Sequence, residues 1–493
     1  MLTPTAVVIG SGVGGLAAAI RLRKKGYAVT VLERLEQPGG RACVIRDGGY
    51  TFDMGPTIIT APFLLQELWA LCGERFEDYV DLRLMDPFYR IRFADGSHFD
   101  YFGDSVRMKQ EIQRVCPSDL PGYDRFMLEA ERCYALGYED LGTVPFNRFS
   151  ELLAAIPSMV RMRAWESIYA MACRHFSSEK LRQVFSFHPL LIGGNPLTVT
   201  CVYSLIAALE RRFGVHSAMG GTGAIVREMA ALFERHGGQI RYHSDVTQIE
   251  TQDGHVTGVR LRDGAFISAD LVVSNADAAT TYQELLSEHP RRTWTNRKVR
   301  RAHYSMSLMV WYFGTRRQYA DIPHHMILMG PRYEELLRDI FDRKVLAEDF
   351  SLYLHRPTAT DPSLAPKGCD SFYVLSPVPH LDSQIDWQTQ AEPYRFKIQR
   401  ALEQTVLPGL SEVLDVSHTI TPNHFDSRYR SFKGAAFGME PRLLQSAWFR
   451  PHNSSEDVKG LYLVGASTHP GAGIPGVLTS AKAFDEMLEP VAA

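Results

Sequence analysis

The chain has 493 residues, too many for one small core, so two or three lobes are expected. Apolar residues make 45% and charged residues 22%, an ordinary globular balance, and Lys+Arg 53 against Asp+Glu 56 leaves a net charge of −3, with no basic excess pointing to nucleic acid. Seven scattered cysteines without Cys-x-x-Cys or other metal-like spacing predict a reducing, cytoplasmic compartment and no metal.

The chain opens on an apolar run, Val7 to Ile9, that reads as a buried parallel strand, with no basic and apolar leader before it. Gly10, Gly12, Gly14 and Gly15 follow, then a helix predicted over 14–25 and a strand over 29–32. Gly10 permits the tight turn, Gly12 lets backbone approach a pyrophosphate, and Gly15 lets the helix pack closely on the sheet. The helix N-terminus presents free N–H groups and a positive dipole end to phosphate. Glu33 stands 18 residues after Gly15, near the spacing at which a carboxylate accepts from a ribose diol; Arg34 comes next. Pro38-Gly-Gly40-Arg41 then places a cation on a flexible turn, in reach of a pyrophosphate. Gly55-Pro56-Thr57 brings a rigid backbone segment toward the ligand. Together these pieces resemble the amine oxidase and carotenoid desaturase superfamily of FAD proteins, in which equivalent segments wrap the diphosphate and flank the flavin ring.

Residues 152–172 mix apolar side chains with Arg161, Arg163 and Trp165, the pattern of an interfacial helix on anionic lipid. From Val184 to Leu209 the chain carries no Asp, Glu, Lys or Arg, but Pro189, Gly193-Gly194 and Asn195-Pro196 break the run, so it does not predict a membrane span. A helix is predicted over 224–236, strands over 239–242 and 256–261 joined through Asp245-Val246, and another over 271–274. Near the C-terminus a strand over 461–464 leads into Gly465-Ala466, and Gly473-Ile474-Pro475-Gly476 leads into a helix predicted from Val477 to 488. In an FAD protein that helix end faces the pyrimidine edge of the flavin, where a positive dipole end stabilises the anionic reduced ring.

Longer runs narrow the resemblance. Phe185-Ser-Phe-His188-Pro-Leu-Leu-Ile-Gly-Gly-Asn-Pro196, Glu348 to His355, Ser376 to Leu381, Gln445 to Asn453 and Gly465 to Gly476 are similar to the bacterial-type phytoene desaturases. The resemblance implies an α/β (α+β) architecture in three parts. A Rossmann-like FAD-binding domain takes residues 1–75, 218–295 and 455–493. A mixed-sheet substrate domain takes 76–135 and 296–454, and a helical membrane-associating insertion takes 136–217. It implies non-covalent FAD, phytoene as an apolar polyene substrate, successive dehydrogenation to neurosporene or lycopene with hydride transfer to flavin N5, and a peripheral, monotopic position on the inner face of the cell membrane. The absence of cysteine from 461–476 excludes a thioether-linked flavin there. A hydrocarbon of this size costs on the order of 20–30 kcal/mol to hold in water, so it must pass from bilayer to site through an apolar tunnel.

The implied cofactor-binding set is Gly10, Gly12, Gly14, Gly15, Glu33, Arg34, Gly40, Arg41, Pro56, Thr57, Val246, Gly465, Ala466, Gly473, Ile474, Pro475 and Val477. In the resembling family the backbone at the Val246 position contacts adenine. Acid–base candidates are Glu151, whose pKa would rise on an apolar tunnel wall, and His469 inside the C-terminal turn. His188 reads as a core histidine, Arg450 as a structural ion pair, and His324-His325 as an exposed pair without a ligand-like partner. The electron acceptor stays open between oxygen and a quinone, and the substrate between phytoene and its C30 relative. Another flavin oxidase of this fold and a flavin-free prenyl-lipid carrier are the competing readings.

Overall fold

The computed structural model describes residues 3–491; the outermost residues of the two terminal segments lie outside that range. A parallel five-stranded sheet forms the base, in the order Leu461–Leu463, Leu271–Ser274, Thr5–Ile9, Ala28–Leu32, Gln239–Arg241. Four of its strands are short apolar runs because helices cover the sheet; the edge strand Gln239–Arg241 is polar and more exposed. Val13–Lys24 packs against both Thr222–Arg235 and Ile474–Asp485. Ile474–Asp485 begins three residues before the predicted start: Gly473 caps it and Pro475 sits in the first turn, where a missing N–H costs nothing.

A strand that the sequence reading passed over, Val246–Gln252, pairs antiparallel with His255–Leu261, which pairs with Phe266–Ser268. Asp253 and Gly254 both take positive φ (51° and 76°), as a two-residue hairpin turn demands. Asp-Gly between alternating residues was the available signal.

Above the base lies a seven-stranded sheet in the order Leu414–Ile420, Ser307–Thr315, Asp370–Val378, Leu352–His355, His325–Leu328, Tyr89–Arg92, His98–Tyr101. All its pairs are antiparallel except His325–Leu328 with Tyr89–Arg92. Ser307–Thr315 is buried along its whole length.

The third layer is helical: Phe149–Arg161, Ile168–His175, Glu179–Val184 and Leu205–Phe213. The uncharged run 184–209 crosses it in pieces, with a 3₁₀ turn at His188–Ile192. Among the described residues no helix is long and apolar enough to cross a membrane. Leu120–Tyr134, placed by the sequence reading with the mixed sheet, packs instead on Leu205–Phe213 and Ile168–His175. Its buried face turns to the helical layer: the rings of Tyr123 and Phe126 lie tilted against that of Phe185, at 5.6 and 5.2 Å between ring centres.

Candidate active site

A single cavity of about 610 Å³ runs between the three layers. At one end it is lined by the first glycine turn, Glu33 and Val246; at the other by Leu152, Met159 and Phe449.

At the first end, Gly10 N donates to Leu32 O (2.8 Å), closing the strand–helix–strand turn. Gly12 and Gly14 lie on the cavity wall. Glu33 is buried, held by Ser11 N (2.8 Å), Ser11 Oγ (2.6 Å) and Leu35 N (2.8 Å), and still faces the cavity. Two carboxylate oxygens accept about four hydrogen bonds, so one place remains for a ligand hydroxyl. Arg34 faces the cavity and donates to Ser427 O (3.0 Å) and to Arg428 O. Val246 lines the cavity, its carbonyl accepting from Arg430 Nη1 at 3.3 Å.

Arg41 is half-buried on the wall beside Gly40, Pro56 and Thr57. Its Nη2 donates to Ser431 Oγ (2.7 Å) while Nε has no partner. Across from it Asp277 keeps a buried, unpartnered Oδ2. Burial pushes the Asp277 carboxyl up, opposed by the Arg41 charge. A guanidinium with a spare donor beside two glycine-lined helix ends fits a diphosphate. The first turns of Val13–Lys24 and Ile474–Asp485 contain no acid to compete.

Gly15 and Gly465 do not line the cavity; both pack on Asn275. Asn275 Oδ1 accepts from Gly15 N (2.9 Å), and its Nδ2 donates to Val464 O (3.1 Å). This amide, absent from the sequence-derived set, ties the N-terminal turn to the C-terminal strand. Ala466, Gly473, Ile474, Pro475 and Val477 do line the cavity, and no cysteine does among the described residues. Arg450 is buried but makes no ion pair among the described residues: it donates to the carbonyls of Thr468 (2.9 Å), Ala466 (2.7 Å) and Met439 (3.1 Å), so it holds the clasp in shape.

The acid–base candidates separate. Glu151 is half-buried, caps Phe149–Arg161 by accepting from Arg148 N (3.1 Å), and is not on the cavity wall. His469 is on the wall, its ring against Phe146 and neither nitrogen paired. Burial and the Arg450 charge push its imidazole down to about 3, which leaves it neutral. A carboxylate the sequence reading missed, Glu210, is fully buried on the wall. It accepts from Tyr89 OH (2.6 Å) and lies 3.2 Å from His188 Nε2, which is angled off a hydrogen bond.

His324 and His325 are buried, not exposed, and they do have a partner: His355. His325–Leu328 lies inside the sheet, so His325 pairs in register with His355 and neither ring reaches solvent.

These buried histidines set an acid limit on stability. Burial, helped by the Arg356 charge, also pushes His324 down to about 3. Unfolded, His324 and His469 bind protons near pH 6.5. Below that pH the unfolded chain holds more protons than the native one. Stability is therefore full above about 6.5 and falls toward 3, by about 1.4 kcal/mol per pH unit per histidine. Urea midpoints at pH 7, 6 and 5 should drop steadily; identical midpoints would contradict the assignment.

Comparison with known proteins agrees with the geometry. The family described as flavin containing amine oxidoreductase matches residues 13–483. The phytoene desaturase (neurosporene-forming) of Rhodobacter capsulatus is 49% identical over 489 residues, covering 98% of this chain and 93% of its own. The phytoene desaturase (lycopene-forming) of Pseudescherichia vulneris is 48% identical over 483 residues, covering 98% of each. An oxidoreductase from Methanosarcina mazei shares the fold, with a TM-score of 0.64 at 18% identity, covering 98% of this chain and 100% of that one. Likeness at this level along nearly the whole chain places it in the flavin-containing amine oxidoreductases and, among them, with the phytoene desaturases.

Proposed function

We propose that this chain binds FAD without a covalent bond and removes hydrogen pairs from membrane-derived phytoene, in successive steps toward neurosporene or lycopene. The carrying observation is the two-faced helix Phe149–Arg161. Leu152, Ala155 and Met159 line the cavity, while Phe149, Leu153, Ile156 and Val160 stand exposed on a second stripe, about 100° round the helix at 3.6 residues per turn. Trp165 and Leu444 are exposed as well, and Arg148, Arg161 and Arg163, at or next to the helix ends in the chain, are exposed charges. An apolar stripe on a helix with exposed basic residues at its ends suits the surface of an anionic bilayer. A hydrocarbon leaving that bilayer would need to pass only one helix to reach the cavity. This supports a peripheral position on the inner face of the cell membrane.

In this reading Glu33 orients the ribose, Arg41 and the two helix ends hold the diphosphate, and Pro56, Thr57, Ile474 and Pro475 flank the ring. Bound FAD supplies a hydride acceptor. The protein's own part is to exclude water and align the polyene, which the apolar wall of Leu190, Ile206, Leu209, Ile327, Leu336 and Leu375 serves. Oxygen or a quinone takes the electrons. Of the two acid–base candidates, His469 faces the cavity and Glu151 does not.

Incubating FAD-loaded protein with phytoene in liposomes tests this. New long-wavelength carotenoid bands are expected, and their position counts the double bonds formed. Unchanged phytoene beside a reducible flavin would overturn the reading in favour of the C30 precursor or another substrate of the same fold.

A further inference from the structure

Each dehydrogenation removes two hydrogens from adjacent carbons. One leaves with both electrons of its C–H bond, taken up by FAD. The other leaves as a proton, and its bonding pair becomes the new C=C bond. That proton is released inside an apolar cavity, where an isolated charge is costly, so it needs a polar way out.

One file of polar groups leads away from the cavity wall. Thr57 Oγ1 lies 2.7 Å from Tyr373 OH and 3.0 Å from Tyr353 OH, and all three residues line the cavity. Tyr353 OH lies 2.6 Å from His325 Nδ1, behind the wall. The His325 ring stacks on His355 with centres 5.4 Å apart. His355 Nε2 lies 3.0 Å from His324 Nε2, and His324 Nδ1 lies 2.7 Å from Thr360 Oγ1. Thr360 is half-buried beside the exposed Ala359. One junction is not closed by a direct hydrogen bond. His325 Nε2 and His355 Nδ1 are both buried without partners, and one nitrogen from each of the three rings lies within 4.8 Å of the other two. One bridging water or a ring rotation spans such a distance.

We propose that the file Thr57–Tyr353–His325–His355–His324–Thr360 carries the substrate's proton from the cavity to solvent; the proposal rests on the desaturase reading above. A proton enters at the Thr57 and Tyr353 hydroxyls as each member passes its own proton on, and a different proton leaves at Thr360 to water. The file ends each turnover with its original charge. Neutral imidazole suits this work because one nitrogen donates while the other accepts. Burial pushes all three imidazoles below the ordinary histidine range, with Arg356 adding to the effect at His324. Arg356 is itself neutralised by Asp370 at 2.9 Å. The other titratable pair nearby is Tyr89, whose ring centre is 5.9 Å from that of His325, and its acceptor Glu210.

A metal site is the rival use of three clustered histidines. Tetrahedral zinc with bonds of about 2.0–2.1 Å would hold its ligand nitrogens roughly 3.4 Å apart. Here the nitrogens spread up to 4.8 Å, and two of them are already within hydrogen-bond distance of each other. The spread and that mutual contact favour the relay.

The test is an anaerobic stopped-flow reaction of FAD-loaded protein with phytoene vesicles, following flavin bleaching and a pH-indicator dye together. In the wild type the two signals should run in step. In His355→Gln and in Tyr353→Phe, proton release should lag bleaching by about 10²-fold, the scale of a lost proton-transfer group. Release in step with bleaching in both variants overturns the relay. If His355→Gln does not fold, Tyr353→Phe, which removes a single oxygen, decides alone. A wild-type flavin that phytoene leaves oxidised overturns the desaturase reading, and the relay falls with it. Two readouts do not depend on turnover. Histidine ¹⁵N resonances of the FAD-free protein should show three neutral rings near neutral pH; a protonated ring overturns the relay. A stoichiometric metal on the wild type that is lost in His325→Gln overturns it in favour of a metal site.

Discussion

Gly15→Val is expected to bind FAD roughly 10–10²-fold more weakly than the wild type. A Cβ at this position would stand 2.1 Å from Gly10 O and 2.9 Å from Asn275 Oδ1. Gly10 O belongs to the backbone of the turn and cannot rotate aside. Relief would require the Val13–Lys24 helix to move off the sheet, and Asn275 would carry that shift to Val464. Overpacking of this kind costs about 1–3 kcal/mol. Spent on the cofactor-bound geometry, this is a loss of roughly 10–10²-fold in FAD affinity. FAD titration of the purified protein measures it. Gly264→Ala is the comparison: its φ of 89° strains the hairpin locally, but its Cβ meets nothing within 4 Å and the position is not on the cavity wall, so it should bind FAD as the wild type does. Equal affinities in the two variants would remove the steric account of the turn.

The second large effect is expected at the membrane. Leu153, Ile156 and Val160 are 51%, 42% and 55% exposed, and all lie on the outer stripe of Phe149–Arg161. Burying each in lipid contributes about 1 kcal/mol, half the value for a fully exposed side chain. Replacing all three by aspartate should therefore lower partitioning onto anionic vesicles by roughly 10²-fold or more. FAD binding should stay unchanged, because none of the three side chains touches the cavity. Vesicle co-sedimentation reads the first and flavin absorbance the second. Wild-type sedimentation by the triple variant would place the docking face elsewhere.

Local signals were strong wherever backbone geometry demanded a particular residue. The first glycine turn, the Glu33 spacing and the Gly473–Gly476 run each announce a strand-to-helix junction, and the elements stand within a few residues of expectation. The Val246–Gln252 strand was missed although its Asp253-Gly254 turn was in view. Glu210 was missed for a different reason. It follows the last residue of the uncharged run and precedes Arg211-Arg212, so it reads as the start of a solvated helix end. Only the packing of Leu205–Phe213 on Leu120–Tyr134 sets it inward, where it accepts from Tyr89. His324 and His325 misled likewise. Two polar residues after Pro323 look like a surface turn until strand pairing sets His325 opposite His355.

The sequence by itself determined the dinucleotide-binding end and the absence of a spanning helix, because both depend on residues close together in the chain. The tertiary structure alone decided which polar side chains face the apolar cavity. Asn275 meets Gly15 across 260 positions, and Thr57 meets Tyr353 across 296. Such contacts depend on how elements far apart in the chain are placed, and for Tyr353, inside a strand, a one-residue slip in register would turn its side chain to the opposite face.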